Sequence, residues 1–244
     1  MIRTAITMIT VVIMTVIFGT AAILVGVINP YSRLIYFCGW IWSKLILYAA
    51  GARISVEGLE NLDPRSNYVF ISNHQSHIDV PALFSVIKNT VRFFTKKELF
   101  TIPIFGWAIK AVGMIKIDRS NHEQALKSMN TAVDTIKHGV SVVVFPEGTR
   151  GADGKLQTFK KGGFVIAIKG KIPVVPVSIS GSGLIHKKHT LRISPGTVKI
   201  KFGQPIPTTG FTYESREKLI ETTRKIIEQN LDQEIIGRMV ANLH

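Results

Sequence analysis

Hydrophobic positions are distributed along this chain in two different ways, and the change falls near Gly51. Before it the apolar residues form long unbroken runs, with no charged residue from Thr4 to Ser32. As a helix, residues 5–28 would extend about 36 Å at roughly 1.5 Å per residue, against a hydrocarbon core of about 30 Å. Asn29-Pro30 interrupts the run. A second apolar segment, residues 34–50, carries Lys44 with Tyr36, Trp40, Trp42 and Tyr48, residue types that favour the membrane interface. Residues 1–50 therefore predict membrane-anchoring helices, either a spanning helix followed by an interfacial one or a hairpin dipping into one leaflet. A cleaved signal peptide fits less well, because the apolar run is too long and no small-residue cleavage site precedes a polar start.

Beyond Gly51 short β-branched runs alternate with helix-like stretches. Strands are predicted at 54–56, 68–72, 91–95, 114–117, 141–145, 174–179 and 198–202. Helices are predicted at 79–87, 104–112 and 121–137, the last ended by Gly139 as a left-handed cap. Near the end Leu219, Ile220, Thr223, Ile226, Ile227 and Leu231 recur at helical spacing. The alternation argues for an α/β layered fold over residues 51–244. Residues 68–72 are apolar on both faces, as in a strand covered on both sides. Pro176 implies that its strand lies at an edge or carries a bulge.

Composition adds a partner. The formal charge of +14 and pI near 10.0 point to an anionic surface or phosphorylated substrates. From Gly151 to Lys201 ten bases accompany one acid, Asp153; a solvated basic face is the plain alternative. Nucleic acid is disfavoured by the membrane segment and by the lack of a recognition motif. The one cysteine, Cys38, excludes an intramolecular disulfide, and its apolar surroundings argue against a cysteine nucleophile.

Candidate chemistry begins where the strand at 68–72 ends. Asn73-His74-Gln75-Ser76-His77-Ile78-Asp79 places an imidazole and a carboxylate five residues apart. Within one straight helix that spacing separates them by about 140°, so only a turn followed by a helix start, near Asp79 and Pro81, reunites them. Asp79 would then fix the tautomer of His74, whose other nitrogen would take a proton from a hydroxyl. Phe145-Pro146-Glu147-Gly148-Thr149-Arg150 follows another strand and would share that rim. Gly148 allows close backbone approach and Arg150 offers a fork for phosphate, although a Glu147–Arg150 ion pair shaping the turn is an equal reading. Arg119 is a phosphate-ligand candidate that would otherwise pair with Asp118 or Glu123. A metal hydrolase built on His74, His77 and Asp79 lacks further clustered ligands. A noncatalytic membrane-surface module would leave the His74 and Asp79 pair unexplained.

NHQSHID, the KKELFTIPIFG and GMIKIDR segment, FPEGTR and VVPVS resemble, in order and spacing, the four blocks of the glycerolipid acyltransferase family, nearest its 1-acylglycerol-3-phosphate acyltransferase branch. The likeness covers residues 72–180 well and the flanks loosely. It implies the fold of that family, a layered mixed sheet flanked by helices, behind a two-helix membrane anchor. The implied activity is acyl transfer from acyl-CoA or acyl carrier protein to the sn-2 hydroxyl of lysophosphatidic acid, at the cytoplasmic face of the cell inner membrane. The implied roles are His74 as base, Asp79 as its orienting carboxylate, Arg119, Glu147, Gly148, Thr149 and Arg150 as glycerol phosphate ligands, and Pro176 as part of the fourth block. No cofactor or metal is implied beyond the thioester co-substrate. Glycerol 3-phosphate or another lysolipid remains an alternative acceptor.

Overall fold

The computed structural model describes residues 1–117, 122–151 and 154–241. Two helices open the chain, α1 (Ile2–Ile28) and α2 (Arg33–Ala50), closed at Gly51 in the left-handed conformation. There follow β1 (Ala52–Glu57), β2 (Val69–Ser72), α3 (Asp79–Val86), β3 (Val91–Lys96), α4 (Phe105–Ala111), β4 (Ile115–Ile117), α5 (His122–Lys137) and β5 (Ser141–Val144). The last part holds α6 (Gly162–Gly170), β6 (Val174–Ser180), α7 (Ser182–Ile185), β7 (Gly196–Phe202), α8 (Arg216–Asn230) and α9 (Gln233–Ala241). The strands form one mixed sheet in the order β1-β7-β6-β2-β5-β3-β4, in which only the β6–β7 pair is antiparallel.

The apolar run that opens β2 has the cause anticipated for it. All four residues are buried, and successive side chains enter different cores. Phe70, with Tyr68 just before the strand, packs toward α2, α3 and α7, where Leu47, Leu83, Phe84 and Ile185 gather. Val69 and Ile71 face α5, α6 and α8 through Ile136, Phe164, Leu219 and Ile227. Fully burying such a side chain is worth about 1.5–3 kcal/mol, so β2 is held from both faces.

Pro176 sits inside the sheet, between β2 and β7, and a bulge accommodates it. Val177 pairs with Phe202, yet Val174 pairs with Ile206, one residue further than a regular antiparallel ladder would give. The absent proline N–H falls within that irregular stretch, while the Pro176 carbonyl still accepts from Gly203 N–H at 2.8 Å. Three helices were not anticipated: α6, α7 and α9. Their sequences are short or rich in glycine, and tertiary packing rather than local preference holds them, α6 and α7 against the sheet and α9 against Gly181 and Gly183 through Ile235 and Met239.

The α1–α2 pair lies against the α/β layers. Gly26 is the point of closest approach, because a Cβ there would sit 2.6 Å from the Ala111 carbonyl oxygen of α4. Tyr36 donates its hydroxyl to the Ile87 carbonyl at 2.9 Å, tying α2 to the end of α3. At the turn between the two helices the buried Arg92 guanidinium donates to the Pro30 carbonyl. Burial lowers the pKa of Arg92 to about 10, still high enough for it to remain charged at neutral pH.

Candidate active site

β2 and β5 are parallel neighbours, with Ile71 facing Val144, so the segments that follow them leave the same edge of the sheet side by side. Sites collect at such carboxyl ends because two diverging connections leave a crevice there. After β2 the chain turns through residues 73–78 before α3 begins at Asp79. That turn brings together what a continuous helix would have separated. His74 Nδ1 lies 2.7 Å from Asp79 Oδ2, and the same oxygen accepts the backbone N–H groups of Gln75 at 2.7 Å and Ser76 at 2.8 Å. Asp79 is fully buried and His74 partly exposed, so the imidazole alone of the pair reaches the crevice.

Further contacts fix the turn. Asn73 is buried and clamps β6, donating to the Ile179 carbonyl at 2.8 Å and accepting from Ile179 N–H at 2.7 Å. Glu147 Oε1 accepts the backbone N–H of His74 at 2.8 Å, and Oε2 accepts that of Gln157 at 3.1 Å. Burial raises the Glu147 carboxyl pKa, an effect opposed by these two donors. The His74 carbonyl accepts Gly151 N–H at 2.8 Å. The first and third sequence blocks are therefore bonded to each other. Gly148 takes a φ of 74°, a conformation that favours glycine. The imidazole of His74 lies nearly parallel to Phe145, with centroids 4.1 Å apart and planes at 16°.

His74, Gly148, Thr149 and Arg150 all line one cavity of about 730 Å³, within the range of about 300–1,000 Å³ usual for ligand sites. Phe145 and Lys160 also line it and were not singled out from the sequence; the Lys160-Lys161-Gly162-Gly163 run, basic residues before a glycine pair, was the available signal. The opposite wall comes from the amino-terminal helices: Thr15, Phe18, Gly19 and Ala22 of α1, and Ile35, Cys38, Gly39 and Trp42 of α2. Burial raises the pKa of Cys38, which keeps it a thiol. Phe84, Phe93, Ala108 and Ile109 extend the apolar lining.

His77 shares the cavity and stacks on His186. Its pKa is lowered to about 4 by desolvation and then by the charges of Arg150, His186 and His74, so its ring is neutral at neutral pH. Arg119 and Asp118 lie outside the described residues. Among the described residues no three His, Cys, Asp or Glu side chains are grouped as a metal site.

A family model described as Acyltransferase matches residues 53–180. The chain is 35% identical over 201 residues to the 1-acyl-sn-glycerol-3-phosphate acyltransferase LPAT1, chloroplastic, of Arabidopsis thaliana, covering 80% of this chain and 56% of that protein. It is 33% identical over 207 residues to the 1-acyl-sn-glycerol-3-phosphate acyltransferase of Limnanthes alba, covering 83% and 72% respectively. The chain thus spans little more than half the length of LPAT1. The crystal structure of the 1-acyl-sn-glycerophosphate (LPA) acyltransferase PlsC from Thermotoga maritima is similar over 93% of this chain and 94% of that one, with a TM-score of 0.78 and 28% identity.

Proposed function

This chain belongs to the acyltransferase family, and on that premise we propose that it moves an acyl group from a thioester to the sn-2 hydroxyl of lysophosphatidic acid, forming phosphatidic acid. The observation that carries the reading is the imidazole of His74, held by Asp79 at 2.7 Å in a cavity whose lining passes from Arg150 and Lys160 to apolar helix faces.

With Nδ1–H directed to Asp79, Nε2 of His74 is the free acceptor. It takes the proton of the acceptor hydroxyl as that oxygen attacks the thioester carbonyl. The tetrahedral intermediate collapses with cleavage of the C–S bond, and the thiolate leaves with the proton that His74 carried. A new ester and a free thiol result, and no acyl-enzyme is formed. A positioned base contributes roughly 10²–10⁴ in rate. Arg150 and Lys160 hold the phosphate of the acceptor, with Gly148 and Thr149 shaping the approach. Arg119 enters this set on its sequence position alone. Glu147 acts from beneath by holding the backbone of His74. The acyl chain lies along the apolar lining of α1, α2 and α4.

The same helices support an association with a membrane. α1 is the one described helix long and apolar enough to cross a bilayer, but it rests on the protein along its length. Thr4 Oγ1 accepts from Ile193 N–H, Thr15 Oγ1 accepts from Trp42 Nε1, and Gly26 abuts Ala111. A helix that meets the α/β part through Thr4, Gly19 and Gly26 is suited to lying in one leaflet, and its exposed residues include the apolar Ile9, Val12, Leu24 and Ile28. On this reading residues 1–50 serve as the anchor of a domain running from residue 51, and the cytoplasmic face of the inner membrane is the proposed location.

The test is product analysis. The reconstituted protein is given acyl-CoA and acyl carrier protein thioesters in parallel, with lysophosphatidic acid, glycerol 3-phosphate and a lyso-ornithine lipid as acceptors. Phosphatidic acid as the dominant product supports the reading, and preferential acylation of either other acceptor replaces it.

A further inference from the structure

Between α7 and β7 the chain forms a short tongue that the reaction above does not use. An antiparallel bridge between His186 and Ile193 makes its base. The Thr190 carbonyl is 2.9 Å from His186 Nε2, which folds the tip back on the base. From Lys187 to Pro195 there is no acid, and the tip presents Lys188, His189, Leu191 and Arg192. Leu191 is 75% exposed. Among the described residues neither Lys188 nor Arg192 has an ion-pair partner.

The tongue is bonded at both sides to parts that matter. Ile193 N–H donates to Thr4 Oγ1 at 3.0 Å, next to the exposed Met1 and Ile2 at the start of α1. Ser76 Oγ donates to the His186 carbonyl at 2.8 Å, and the His186 ring stacks on His77 with centroids 5.6 Å apart. Ser76 is also one of the backbone donors to Asp79. A single short segment therefore joins the membrane helix to the turn that carries His74.

We propose that residues 187–192 dock on anionic lipid headgroups, with Lys188 and Arg192 at the phosphates and Leu191 in the interface, and that this contact steadies the catalytic turn through His186. The proposal rests on the membrane placement given above. A lipid surface is favoured over an acidic carrier protein because the exposed Leu191 is two residues from Ile193, which is bonded to Thr4 beside the exposed Met1 and Ile2, while the cations of the tongue match an interface rather than a bilayer core. Each surface cation contributes roughly fivefold in partitioning to an anionic bilayer.

The experiment uses the full chain on phosphatidylcholine vesicles with and without phosphatidylglycerol. Backbone hydrogen exchange of residues 188–192 is read first, since it does not depend on any reaction. It is expected to slow by about tenfold or more only on the anionic vesicles; unchanged exchange overturns docking whatever the activity proves to be. Acyl transfer is then compared between the natural chain and the pair Lys188→Glu with Arg192→Glu. The natural chain is expected to be several-fold faster on anionic vesicles, and the double variant to lose that gain while keeping its rate on neutral ones. Leu191→Ser is expected to lose part of it. A double variant that retains the gain overturns the coupling. One whose only change is a raised KM for the thioester, equal on both vesicles, makes the tongue a donor site instead.

Discussion

The two walls of the cavity are built on opposite principles. The sheet wall, from His74 to Arg150, is held by directional hydrogen bonds, long-range ones from Glu147 to His74 and from Asn73 to Ile179, and local ones from Glu147 to Gln157 and from Asp79 to the turn before it. The helix wall, from Thr15 to Trp42, is held mainly by close packing, with Gly26 on Ala111 and Gly39 against Phe84. On the proposed mechanism, directional bonds keep the nitrogen of His74 in place, whereas packed apolar faces set the volume open to a flexible chain. Damage to the first wall should lower the rate for every substrate alike, and damage to the second should change which substrate fits.

The largest effect is expected from Asp79→Ala. It leaves Nδ1 of His74 without its acceptor and two backbone N–H groups unpaired, and steady-state kinetics should show kcat lower by roughly 10²–10⁴. Glu147→Gln comes next. An amide retains one acceptor oxygen but cannot accept from both His74 and Gln157, so kcat should fall by about 10-fold to 10²-fold with KM little changed. A comparable loss in KM alone would make Glu147 a substrate ligand rather than a brace.

Gly26→Val tests the packed wall. Its Cβ would meet the backbone of Ala111, and overpacking of this kind costs about 1–3 kcal/mol, readable as a lower denaturation midpoint in detergent. The smallest effect concerns acid. His77 has a folded pKa near 4, below its ordinary 6.5, so the neutral ring contributes stability that is fully present above pH 6.5 and is lost as pH falls toward 4. The ring is exposed at the mouth, which limits the contribution to about 1 kcal/mol. His77→Gln should flatten the dependence of the denaturation midpoint on pH in that window.

The first wall was largely legible in the sequence because its signals are local. A largely apolar strand, a polar turn and a helix start at Asp79 together foretold the meeting of His74 and Asp79. The bond from Glu147 to the backbone of His74 was not legible, since spacing reveals no partner 73 residues away. Nor was the bulge distinguishable from an edge at Pro176, a choice that depends on the neighbouring strands. The helix wall was legible only as a membrane segment. Hydropathy does not say that α1 lies along α4, although small residues at 19, 22 and 26 mark one helix face and were the available clue. Helix α6 was hidden by its opening glycine pair, which locally reads as loop.

The most direct test of the division between the walls is the acyl-length profile of transfer to lysophosphatidic acid, measured for the natural chain, His74→Gln and Ala22→Leu. Ala22 lines the cavity beside Ile35 and Val112. His74→Gln should lower the rate at every length by roughly 10² or more without moving the preferred length. Ala22→Leu should shift the preference toward shorter chains while keeping the rate on the shortest. Rapid turnover by His74→Gln, or an unmoved profile in Ala22→Leu, would contradict the account.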